Sequence, residues 1–176
     1  SDRVKMSSGG AVSAASGSST IDSEPVSAAH PSPRPSSEAA VNVGIGAEIM
    51  GANKFGPPGW HDDPEWTGWW GPNPPFHTPT FVLTHHTRPP LEMEGGTTFH
   101  FLDATPAEAL TIARAAADGL DVRLGGGPTV VREFLAAGLV AHMHLVQVPI
   151  VLGRGVRIWD GLEALEDTFD IEVVST

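Results

Sequence analysis

A chain of 176 residues with 40% hydrophobic side chains is long enough for one compact core and too short for two ordinary domains. Its formal charge of −11, from 21 acidic side chains against 10 Lys and Arg, would repel nucleic acid and anionic membrane, so neither is expected as a partner. The absence of cysteine excludes a disulfide framework, a thiolate zinc site and a Cys nucleophile, and suits a cytoplasmic protein.

Residues 1–40 carry twelve Ser, seven Ala and four Pro with no aromatic residue, too little apolar surface to offset the entropy of ordering them. They are expected to be disordered, either as a flexible tail or in the place of a first strand, with the folded domain spanning 41–176. No stretch approaches the roughly 20 apolar residues of a membrane span, and no signal-peptide run opens the chain. Alternation of Val43, Ile45, Ala47 and Ile49 predicts a strand over 43–50. Seven Pro and four Trp between 56 and 79 interrupt any long element, so an aromatic-rich surface loop is expected there. Short strands follow at 80–84 and 97–102, with Gly95-Gly96 turning between them.

Thr105-Pro106-Ala107-Glu108 has the form of a capping box, starting a helix that runs to about Ala117 before Asp118-Gly119. A strand at 122–124 leads into Gly125-Gly126-Gly127, and a second helix runs from Pro128 to Gly138. Strands at 143–152, with Pro149 marking an edge or bulge, and at 169–174 complete the order. Strands interleaved with helices predict an α/β sandwich with a mixed sheet.

The strand, glycine and helix succession at 122–129 carries the chemistry. Backbone amides and a positive helix end converge there with no side chain in the way, which favours a phosphate; the alternative is a tight connection without a ligand. Adjacent His85 and His86 would point to opposite faces of a strand. His142 and His144 share a face but lack a third ligand nearby, so no metal site is expected and a surface or interface role fits them better. Trp60, Trp66, Trp69 and Trp70 either pin the Pro-rich loop to the core, the favoured reading, or line a substrate pocket. Asp62, Asp63 and Glu65 read as a solvated acidic loop. Glu48, a charge inside an apolar strand, is either an edge residue or faces a cleft.

Three segments together resemble the dihydrofolate-reductase-like family that contains the reductase domain of bacterial riboflavin biosynthesis. They are Pro75-Phe76-His77-Thr78-Pro79-Thr80-Phe81-Val82-Leu83-Thr84-His85-His86, the turn from Leu124 to Gly127, and Val148-Pro149-Ile150-Val151-Leu152-Gly153. The resemblance implies a three-layer sandwich with a central mixed sheet flanked by helices, and a homodimer. It also implies an NADPH-dependent reductase whose small-molecule substrate is a heterocycle or an aminopyrimidine ribosyl phosphate, as in the (phosphoribosylamino)uracil reductase step. The alternative is an inactive nucleotide-binding or oligomerisation protein on the same scaffold, its 143–152 strand pairing between subunits.

By the same resemblance Gly125, Gly126, Gly127 and Thr129 would meet the cofactor pyrophosphate, and Thr84 and His85 the adenosine end. Gly51, Asn53 and Lys54 would form the second cofactor turn. Two departures stand out. The family's Arg in that second turn is Ala52 here, with Lys54 or Arg88 as candidate substitutes. The family's opening strand and Ser-x-Asp-Gly substrate loop are not evident before Val41, which leaves open a sheet without its first strand and leaves the catalytic residues unassigned.

Overall fold

The computed structural model describes residues 4–7, 44–145, 150–151 and 153–168. Among the described residues seven strands form one sheet: β1 (Val4–Ser7), β2 (Ile45–Gly51), β3 (Pro79–Leu83), β4 (Leu91–Glu92), β5 (Thr98–Leu102), β6 (Asp121–Leu124) and β7 (Val140–His144). Their order is β4-β5-β3-β2-β6-β1-β7, every neighbouring pair being parallel except β4 with β5. The helices are α1 (Ala52–Phe55), α2 (Pro106–Ala116) and α3 (Pro128–Ala136). This is the mixed α/β sheet of a dihydrofolate-reductase-like fold.

Side chains that alternate along the strands divide the core in two. Ala47, Ile49, Phe81, Val122 and Leu124 face α2 and α3, which bury Ala109, Leu110 and Ala113 and Val130, Val131, Phe134 and Leu135 against them. On the opposite face Met50, Val82, Phe99 and Phe101 pack with Phe55 of α1 and with Trp60 and Phe76 of the Pro-rich segment. That segment is therefore only partly a surface loop. Trp60 and Phe76 are buried, Trp70 lies against Phe76 and Phe99, and Trp66 donates its indole N–H to the Phe55 carbonyl at 3.2 Å, so most of these rings pin the loop.

The helix ends follow their sequence signals. Thr105 Oγ1 accepts from the Glu108 amide while the Glu108 carboxylate accepts the Thr105 amide at 2.9 Å, and Pro106 opens α2. After α3, Gly138 takes φ 67°, so that its amide reaches Leu135 O and the Leu139 amide reaches Phe134 O.

Three expectations need correction, and one strand went unread. Residues 4–7, expected to be disordered, form β1, in register with β6 (Lys5 opposite Arg123, Met6 opposite Leu124) and also paired with β7. The sheet therefore has its first strand. Four residues carry no readable period, and the strand is specified by backbone pairing on both sides rather than by its own pattern. It leads in sequence into Ser7-Ser8-Gly9-Gly10, which is not a Ser-x-Asp-Gly order. The strand expected over 143–152 starts at Val140 and ends at His144; Ile150 and Val151 are not in a strand. Pro149, which has no N–H to donate to a ladder, and its neighbours 146–148 lie outside the described residues, as does the strand expected over 169–174. The two-residue β4 went unread because Leu91-Glu92 is too short to show a period. Finally, Glu48 is not an edge residue, because β2 is flanked by β3 and β6.

Candidate functional site

Because β2, β3, β5 and β6 are parallel, their carboxyl ends share one edge of the sheet, where ligands of open α/β sheets gather. Gly51 closes β2 and Gly125 follows β6, and the two turns meet there. The Gly125 amide donates to Ile49 O at 2.8 Å and the Gly51 amide to Gly126 O at 3.3 Å. Glycine is required by close approach at Gly51, where a Cβ would stand 2.8 Å from Val130 Cγ2, and by conformation at Gly127, with φ 95° and ψ 117°. A Cβ on Gly126 would meet nothing within 4 Å, so the outer side of the turn is open.

Gly127 then opens α3 without a side-chain cap, and Pro128 has no N–H, so the Thr129 and Val130 amides are the first-turn donors left without an intrahelical acceptor. Thr129 is exposed at this helix start. One strand over, Gly51 is in register with Leu83, which puts Thr84 on the same edge. Thr84 Oγ1 accepts from the His86 amide at 3.0 Å. His85 and His86 lie just past the strand and part there: His85 Nδ1 is 2.8 Å from Asp103 Oδ1, and His86 stacks on His61 with ring centroids 3.6 Å apart.

Lys54 turns inward and donates to the Gly125 carbonyl, while Asn53 on the same short helix is exposed. Arg88 is committed elsewhere. Its guanidinium lies over Phe101, Trp60 and Phe55 at 4.5–5.4 Å and donates to Trp66 O at 2.6 Å. Of the two candidate substitutes for the missing Arg, Lys54 is thus the one at the glycine turn.

Under the turn lies a buried ion pair that the sequence reading did not assemble. Glu48 and Arg123 are in-register partners on β2 and β6, and Arg123 donates to Glu48 Oε1. The legible signal was a charge of opposite sign in each of two apolar strands. Burial pushes the Glu48 carboxyl above the ordinary carboxylate range, against the pull of Arg123 and Lys54. Burial also holds Lys54 below the usual amine range, Glu48 opposing this and Arg123 adding to it. A carboxyl with a raised folded pKa holds its proton more tightly in the folded chain than in the unfolded one. Stability should therefore fall as pH rises from the ordinary carboxylate value to that of Glu48. Urea unfolding across this interval tests it: Glu48→Gln, with no proton to lose, should show a flatter profile, and an unchanged slope would assign the effect to other groups.

The chain matches the family model of the RibD C-terminal domain over residues 5–175, a span that includes β1. It belongs to that family. A RibD C-terminal domain is a riboflavin-biosynthesis-type reductase. A search of curated proteins gives no match. Among the described residues no helix is long and apolar enough to cross a membrane.

Proposed function

We propose that this RibD C-terminal domain is an NADPH-dependent reductase of the cytoplasm acting on a small heterocycle or an aminopyrimidine that carries a phosphorylated sugar. The observation that supports it most is the open glycine turn against Gly51, with uncapped helix amides beside it. Gly125, Gly126, Gly127 and Thr129 would hold the pyrophosphate, Gly51, Asn53 and Lys54 the facing side, and Thr84 and His85 the adenosine end. NADPH supplies the hydride when bound, and the protein's share is to orient the rings and exclude water.

Two sequence departures support a second reading, cofactor binding without turnover: Ala52 in the place of the family's Arg, and the lack of a Ser-x-Asp-Gly order before Val41. Titration with NADPH and NADH, followed by quenching of the five Trp, tests the cofactor. Saturable binding near micromolar that is tighter for NADPH supports a reductase site, and no binding at millimolar cofactor removes it. Binding without hydride transfer across a panel of aminopyrimidine ribosyl phosphates would favour the second reading.

We also propose a homodimer. Among the described strands β7 lies at the sheet edge, and Leu145, Ile150, Val151, Val156 and Trp159, which follow it, are exposed, Val151 at 98%. Sedimentation should give the mass of two chains, and a monomer at all concentrations would exclude the dimer.

A further inference from the structure

Two segments that leave the carboxyl edge of the sheet are tied together through histidine. His61 belongs to the 3-10 turn Trp60–Asp62 of the Pro-rich segment, and His86 follows the end of β3. Their rings lie face to face, with centroids 3.6 Å apart and planes within 6° of parallel. Thr84 Oγ1 accepts the His86 amide, so this ring is anchored to the strand end. Beside the stack is a tie of another kind: Arg88 donates to Trp66 O at 2.6 Å and lies over the Trp60 ring at 5.2 Å. A guanidinium keeps its charge throughout, whereas imidazole is the side chain that changes charge between about pH 5 and 8. Two neutral rings stack well, as do one charged and one neutral, but two charged rings at this separation repel. The surrounding charges do not cancel that repulsion. Among the described residues, Asp62 faces His61 at 3.8 Å from Nε2, yet it is 84% exposed and screened by water. The charge of Asp63 acts on Arg88. Asp103 is engaged by His85 at 2.8 Å, and His85 when protonated adds one more positive charge to the same segment as Arg88.

We propose that the His61–His86 stack is a pH-operated latch, which holds the start of the Pro-rich segment against the end of β3 at neutral pH and releases it in acid. Arg88 is the hinge of this movement, because its contacts with Trp66 and Trp60 do not depend on an imidazole. Trp60 itself is buried in the aromatic layer, so the layer stays packed while the turn that follows Trp60 lifts away. The latch acts on the Thr84 end of the sheet edge, where His86 is anchored, and opens that end to solvent. It needs only the two rings and their anchors, and it holds whatever ligand the edge takes.

Amide hydrogen exchange of the full chain at about pH 8 and about pH 5, corrected for the pH dependence of the intrinsic rate, tests this. The reporters are the Asp62 and Asp63 amides, which donate to Gly59 O and Trp60 O at 3.0 and 3.2 Å. In the wild type their corrected exchange should be about fivefold or more faster at the lower pH, while β2 and β3 keep their protection. His61→Phe keeps a ring in the stack and removes one of the two charges, so its protection should be the same at both pH values. His86→Phe is the reciprocal variant and should behave alike, which keeps the test intact if one of the two fails to fold by circular dichroism. The double variant His61→Lys with His86→Lys, charged on both sides at either pH, should exchange fast at both. Equal protection of the wild type at the two pH values overturns the proposal, as does slow exchange in the double variant at about pH 8. A pH step that persists in His61→Phe and His86→Phe overturns it too, and assigns the step to His85 and Asp103 instead.

Discussion

Phe55→Ala should cost about 4 kcal/mol of folding stability, read as a shift in the urea midpoint, and should weaken cofactor binding as well. Phe55 is completely buried and stands edge-on to Trp60, Phe99 and Phe101 at centroid distances of 4.9, 5.1 and 5.1 Å. Removing its ring leaves a cavity bounded by three other rings and deprives the Arg88 guanidinium of one of its aromatic partners. The effect extends to the site through α1. A four-residue helix has no stability of its own, so Phe55 is what fixes α1 to the sheet, and Lys54 is its neighbour in that helix. Trp69→Ala is the contrast. Trp69 is 57% exposed, and its loss should change stability by no more than about 1 kcal/mol. A Phe55→Ala cost as small as that of Trp69→Ala would show that the aromatic layer is not a second core.

That second core also shows how far the sequence could be read. Four closely placed Trp among prolines were legible as a pinned loop, because large rings need burial whatever the backbone does. The depth of burial was less legible. It depends on Met50, Val82, Phe99 and Phe101, which three separate strands bring to one face, and only the register of the sheet unites them. The elements with local signals of their own stand near their expected bounds. Thr105 and Glu108 fix the start of α2, Gly138 the end of α3, and apolar alternation the body of β2. β1 had no such signal, and neither did the early end of β7, since both are decided by strand neighbours distant in sequence.

The site divides in the same way. Glycines at 125–127 were readable as an unobstructed turn because glycine's backbone freedom is a property of the residue itself. Their apposition to Gly51 follows from β2 and β6 being neighbours, which no local pattern states. The Glu48 and Arg123 pair lay further out of reach. Each charge was visible in its own strand, yet the partnership exists only because Glu48 and Arg123 are in register on adjacent strands. A slip of one residue would place them on opposite faces of the sheet and leave two buried charges apart. The pair therefore also pins the register on which the contact between the two glycine turns depends.

Gly127→Val should remove cofactor binding, lowering affinity by about a hundredfold or more, with a stability loss of about 2 kcal/mol. At φ 95° and ψ 117° this position lies outside the regions open to L residues, and a β-branched side chain is the least tolerant of it. The place a Cβ would take is 3.9 Å from Gly51 Cα, so the new side chain would stand between the two turns, in the path of a phosphate approaching the amides of α3. Gly138→Asn separates backbone strain from exclusion of the ligand. Gly138 also has a positive φ, 67°, but at the far end of α3, where a Cβ meets nothing within 4 Å. Asn adopts that left-handed conformation readily, so this variant should keep the affinity of the wild type and lose only about 0.5–1 kcal/mol. Circular dichroism would establish that both variants fold, and Trp quenching by NADPH would give the affinities. If folded Gly127→Val still bound NADPH as the wild type does, the pyrophosphate could not lie at this turn, and the search for it would move to the Thr84 and His85 end of the same edge.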